Sequence, residues 1–106
     1  MKKIFSVTAP AITAGPVDAL RIGVPSNKRW TLIDIRIGQD QLVTGLVTIL
    51  INGQIIHGFA VGIEIRTYEI MDDLPGGTEI LIQQGGSAAA VGFIAITIMV
   101  DEHESN

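Results

Sequence analysis

The sequence contains no cysteine, only two histidines and, beyond Arg66, no lysine or arginine. Without cysteine there is no disulfide framework, and so no argument for an oxidising compartment. Two histidines, one of them (His103) close to the C-terminus, fall short of the three or four Cys, His or acidic ligands that a zinc site needs. Long apolar runs are missing as well. The longest candidate, residues 88–100, is interrupted by Gly92 and Thr97, whereas a membrane helix needs about 18 uninterrupted apolar residues. No membrane partner is therefore expected. The opening Met1-Lys2-Lys3-Ile4-Phe5 imitates a signal peptide, but Thr8, Pro10 and Thr13 cut its apolar stretch. Aromatic residues make up only 5% and the net charge is −4, with no basic stripe carrying interleaved aromatics. That composition disfavours direct nucleic-acid binding.

What the chain has in excess is isoleucine, 18 in 106 residues. Ile33, Ile35 and Ile37, then Ile63 and Ile65, Ile80 and Ile82, and Ile94, Ile96 and Ile98 recur two apart. A period of two places each set on one face of a β-strand. Eight valines and eight threonines raise the β-branched share to about a third, a composition suited to a pleated, packed surface. The length fits one domain with a two-layer core. A hydrophobic fraction of 47% and a mean hydropathy of +0.44 exceed what such a small core consumes. The surplus predicts a surface covered by a partner; the competing explanation is that a strand-rich sandwich simply needs many isoleucines. Five of the seven basic residues lie within the first 29 positions, and the acidic residues dominate the second half. Such a basic front and acidic back could steer copies together, or merely solvate loops and tails.

Three regions are distinguished. Residues 1–17 read as an extended N-terminal arm with a short β-like start at 3–8, the first of the strands, because Pro10 and Pro16 and the small residues around them cannot nucleate a helix. The arm is expected to be held along its own sandwich or against a neighbour, with Ile4, Phe5, Val7 and Ile12 as its interface residues. Residues 18–100 form the β-sandwich domain, and 101–106 an acidic C-terminal tail. Within the sandwich, strands are expected at 19–24, 30–38, 44–51, 54–60, 62–70, 78–84 and 89–100. Thr31, Ile33, Ile35 and Ile37 should share one face of the second of these, and Trp30, Leu32, Asp34 and Arg36 the other. Asn52-Gly53 between two apolar runs marks a two-residue hairpin turn, in which both central residues need positive φ. Residues 71–77, rich in Asp, Pro and Gly, read as a turn. Regular short strands with turn signals every 8–12 residues predict an all-β fold: an antiparallel β-sandwich of about eight strands, jelly-roll-like, with an extended N-terminal arm.

Candidate chemistry is thin. His57, alone in the hairpin's second strand, reads as a structural or surface residue. Asp72-Asp73 with Asp101 or Glu102 could contribute to a calcium site, but no EF-hand spacing is present and solvated turn residues explain them. Gly76-Gly77 and Gly85-Gly86-Ser87 lack the Lys and helix of a phosphate loop, and Ser87 lacks a His–Asp support. Glu64 and Glu79 are carboxylates of the kind glycoside hydrolysis pairs, yet read as solvated strand residues. Trp30 and Tyr68 could form a sugar-stacking platform. Trp30 fits better at the rim of the core, with its indole N–H at the wet end.

The order turn, strand, loop, Asn-Gly hairpin, strand, Leu74-Pro75-Gly76-Gly77-Thr78-Glu79-Ile80, Gly-rich turn and final apolar strand resembles small single jelly-roll β-sandwich virion proteins. These are capsid, cement (decoration) or vertex proteins of tailed phages and icosahedral archaeal viruses. The resemblance spans roughly residues 24–100 and carries no functional residue over, since such proteins work through surfaces. It implies a non-enzymatic structural assembly protein located in a virion, or else in a cytoplasmic or extracellular assembly. Expected partners are further copies of the chain, as a trimer or higher homo-oligomer, and other virion proteins; no cofactor or metal is expected. The alternative is a carbohydrate- or ligand-binding β-sandwich module.

Overall fold

The period-two isoleucine segments pair, across long sequence separations, into two four-stranded antiparallel sheets. The computed structural model describes residues 1–10, 15, 17–39, 45–61, 66–85 and 93–104. Among these lie eight strands: β1 (Lys2–Pro10), β2 (Val17–Gly23), β3 (Lys28–Gln39), β4 (Gly45–Ile51), β5 (Gln54–Val61), β6 (Arg66–Leu74), β7 (Glu79–Gly85) and β8 (Phe93–Glu104). One sheet has the order β1-β8-β3-β6 and the other β2-β7-β4-β5. Every link except β4 to β5 therefore crosses from one sheet to the other, which is the jelly-roll arrangement of an antiparallel β-sandwich.

The core lies between the sheets. Leu32, Ile35 and Ile37 of β3 and Ile94, Ile96, Ile98 and Val100 of β8 meet Val47 and Ile49 of β4 and Ile80 and Ile82 of β7, all fully buried. Each such side chain contributes roughly 1.5–3 kcal/mol on burial. Truncating one, as in Ile96→Ala, costs on the order of 2–5 kcal/mol because the packed layer relaxes only partly around the cavity.

Several expectations shift. Of the two placements expected for the arm, along its own sandwich or against a neighbour, Lys2–Pro10 takes the first: it is the edge strand β1, laid antiparallel on β8 from Lys2↔Asp101 to Pro10↔Phe93. Its alternation explains this, since Phe5 and Val7 pack against the core while Ile4, Ser6 and Thr8 point outward. Residues 11–14 and 16 lie outside the described residues. The acidic tail is likewise not separate over Asp101–Glu104, which continue β8 against β3. Its charges are held by Lys28 on Glu104 and Lys3 on Glu102. Residues 71–74, expected in a turn, extend β6 because Asp72 and Asp73 pair with Leu32 and Thr31; only 75–77 turn.

The two-face reading of β3 is also corrected. Leu32 pairs with Val100 and Asp34 with Met99, leaving Ile33 unopposed on β8. On the other side the same step skips Ile70 and Met71 of β6, with Met71 at φ 57°. A bulge of this kind reverses the in–out phase. Trp30 and Leu32 are therefore buried before it, and Ile35 and Ile37 after it.

Candidate functional site

The expected site residues are dispersed. Asn52 (φ 50°) and Gly53 (φ 78°) occupy the turn between Ile51 and Gln54. The Asn52 side-chain oxygen accepts from the Glu79 backbone N–H at 2.8 Å, tying this hairpin to the start of β7. Trp30 is 2% exposed, and its ring stacks obliquely on Phe5 with centroids 5.2 Å apart. It is thus part of the core and not a sugar platform. Tyr68 and His57 pair with Ile35 and Ile49; their side chains, with Glu64, Gly86, Ser87 and Ile12, lie outside the described residues. Glu79 is bound by Arg21 at 2.7 Å.

The acidic residues weighed for calcium do not converge. Asp101 and Asp73 flank Thr31 from opposite neighbouring strands, so their backbones are about two strand spacings, roughly 10 Å, apart. Thr31 donates to Asp73 at 2.8 Å and lies 3.2 Å from His103 Nε2. Glu102 turns instead to Trp30 and Lys3. Among the described residues no three potential metal ligands come together.

Among the described residues the two sheets end in two flanks. β1 and β2 are the sheet edges on one side and lie close together, while β6 and β5 are the edges on the other. On the second flank a bulge follows the hairpin: Ile49 pairs with His57 and Leu50 with Ile55, which leaves Ile56 unopposed. Strict alternation would expose one of these isoleucines, yet both are exposed, Ile55 at 67% and Ile56 at 37%. Met71, set in the left-handed region by the β6 bulge, is also 67% exposed. That backbone conformation costs a bulky residue roughly 1–3 kcal/mol. Glu69 and Asp72 are exposed on the same edge.

Sequence reasoning missed this patch, although Ile55-Ile56 directly after the Asn-Gly turn breaks the alternation and could have signalled a bulge. The first flank also exposes large apolar side chains, Met1 at 78%, Ile4 at 61% and Val17 at 44%. Electrostatically it is basic along β1, which has Lys2 and Lys3 and no acid. On β2, Asp18 is held below its ordinary range by Arg21 and then Gln83. A shallow depression on the outer face of the β1-β8-β3-β6 sheet is lined by Arg36, Gly38, Ala95 and Thr97. Arg36 there lies 3.6 Å from the buried carboxylate of Asp34.

No protein-family model and no curated protein sequence matches the chain. Solved structures share its fold. A chain in the acid-stable capsid structure of Helicobacter pylori bacteriophage KHP30 superposes with a TM-score of 0.58 at 9% identity, covering 99% of this chain and 100% of that one. The CBM36-1 domain of a multidomain xylanase from the hindgut metagenome of Trinervitermes trinervoides gives 0.54 at 12% identity, covering 100% and 99%. The C-terminal domain of EclA, a sugar-binding protein, gives 0.57 at 16% identity, covering 95% and 79%. At these identities the likeness is one of fold.

Proposed function

We propose that this chain is a non-enzymatic structural protein that self-associates within a virion, as a capsid, decoration or vertex component. The observation that carries the reading is the exposure of large aliphatics on edge strands, Ile55 and Ile56 on β5 and Met71 on β6. Exposed edge strands bearing large aliphatics are association surfaces unless they are covered. The whole-length match to a phage capsid chain supports the same reading at the level of fold.

The sugar-binding reading loses its anchor with Trp30 in the core, since stacking on a pyranose needs an open ring face. What favours it is the depression at Arg36, Gly38, Ala95 and Thr97, with exposed Phe93 two residues from Ala95 on the same strand. Two measurements on the purified chain separate the two functions. Light scattering after size exclusion reports association, and a glycan array reports sugar binding. Association without glycan binding supports the assembly role; a monomer that binds glycans overturns it.

A further inference from the structure

We infer that copies of this chain associate flank to flank in a head-to-tail manner, the β1 edge of one against the β5–β6 edge of the next. This rests on the assembly reading above and names the two surfaces it uses. The register places four residues in one row across the sheet: Lys2 pairs with Asp101, Asp101 with Thr31, and Thr31 with Asp73. Beyond the intervening row of Lys3, Val100, Leu32 and Asp72, a third runs Ile4, Met99, Asp34, Glu69. Each row thus begins on β1 and ends on β6, with Met71 between Asp72 and Glu69. A second copy in the same orientation brings Lys2 level with Asp73, and Ile4 level with Met71 and Glu69.

Charge and polarity both match across that contact. β1 offers Lys2, with Lys3 already on Glu102, whereas β6 carries Glu69, Asp72 and Asp73, the last 3.9 Å from Arg29, against a single Arg66 of its own. The exposed side chains Ile4 on β1 and Met71 on β6 supply the apolar part in one sheet, and Val17 on β2 with Ile55 and Ile56 on β5 supply it in the other. Chain direction agrees as well. Strands alternate through β1-β8-β3-β6, so β6 of one copy and β1 of its neighbour run antiparallel. The bulge at Met71 interrupts β6 as a pairing template, so side chains make the contact and not a continuous ladder. A contact between two different patches leaves one of each free, and grows into a ring or filament. Matching identical flanks would instead put acidic β6 against acidic β6.

The test uses two variants of the full chain. The first, Lys2→Glu with Ile4→Glu, removes the β1 patch. The second, Ile55→Asn with Met71→Asn, removes the opposite patch and keeps a residue that tolerates the left-handed region. Wild-type mass should rise with concentration. Each variant alone should stay monomeric, its association weakened by about tenfold or more. Mixed, the two should form a 1:1 heterodimer that grows no further, because each contributes its one intact patch. Circular dichroism checks the fold; if the first variant unfolds, Lys2→Glu alone reads the same contact. The inference fails if the first variant still self-associates, which means like flanks pair, or if both assemble as wild type, which places the contact elsewhere. A wild-type chain that is monomeric at every concentration removes the assembly reading itself.

Discussion

The indole N–H of Trp30 donates to the Glu102 carboxylate at 2.8 Å, so the only tryptophan of the chain keeps its ring in the core while its polar edge is satisfied from β8. Lys3 reaches the other oxygen of the same carboxylate at 3.2 Å, which links β1, β3 and β8 through one side chain. Glu102→Ala leaves the buried N–H without its acceptor and should lower the thermal midpoint. Glu102→Gln, which still accepts, should recover most of the loss. Trp30 fluorescence measured with the unfolding curve reads both.

Acid should weaken the fold in a defined direction. The Trp30 indole, and then Lys3, hold Glu102 below the usual carboxylate range, and Arg21 with Gln83 does the same for Asp18. Carboxylates depressed in the folded state contribute stability that is complete above their unfolded values and is lost as pH falls through the folded ones. Lys28 is raised by Glu104, so its contribution is complete below the ordinary lysine range and is lost only as pH climbs through the raised value. Urea midpoints should therefore be level around neutrality and drop at the acid end. A midpoint that rises on acidification contradicts these assignments.

Two glycines should respond differently to alanine. At Gly76 an added Cβ would stand 2.5 Å from the Ser26 carbonyl oxygen and 2.8 Å from that of Pro25, where the two turns at this end of the sandwich meet. Backbone must move there, an overpacking cost of about 1–3 kcal/mol or more. At Gly53 an added Cβ meets nothing within 4 Å, and the cost is only that of φ 78°, about 1–2 kcal/mol. Gly76→Ala should be the more damaging of the two in denaturant melts, and Gly53→Val should lower stability measurably.

Removing residues 1–16 should unfold the chain or lower its midpoint steeply. Truncation uncovers the edge of β8 and strips Phe5 from Trp30. Phe5 and Val7 are partly buried, so each loses at most roughly 1.5–3 kcal/mol of burial, on top of the ladder. A chain starting at Val17 with an unchanged melting curve would show that β1 contributes nothing.

The strands, their approximate limits and the Asn52-Gly53 turn were legible because period two and positive-φ residues are local signals. The isoleucines of β7 and β8 follow the alternation without a break. Legibility fails where a bulge intervenes. A single unopposed residue at Ile33 moves Trp30 and Leu32 onto the face that Ile35 and Ile37 share, and no local signal marks it. The choice between the two placements of Lys2–Pro10 was unreadable for another reason, since its partner lies some ninety residues away. The apolar flank at Ile55, Ile56 and Met71 depends on two such bulges, so it surfaced only with the register.

Self-association is read from the mass of the full chain in solution. Light scattering should be recorded over a wide concentration range at low and at high salt. The mass should climb above 11.3 kDa with concentration. Association should also be weaker at about 0.5 M salt than at about 0.01 M, where the screening length is near 30 Å. A steady 11.3 kDa at every concentration and salt would contradict it.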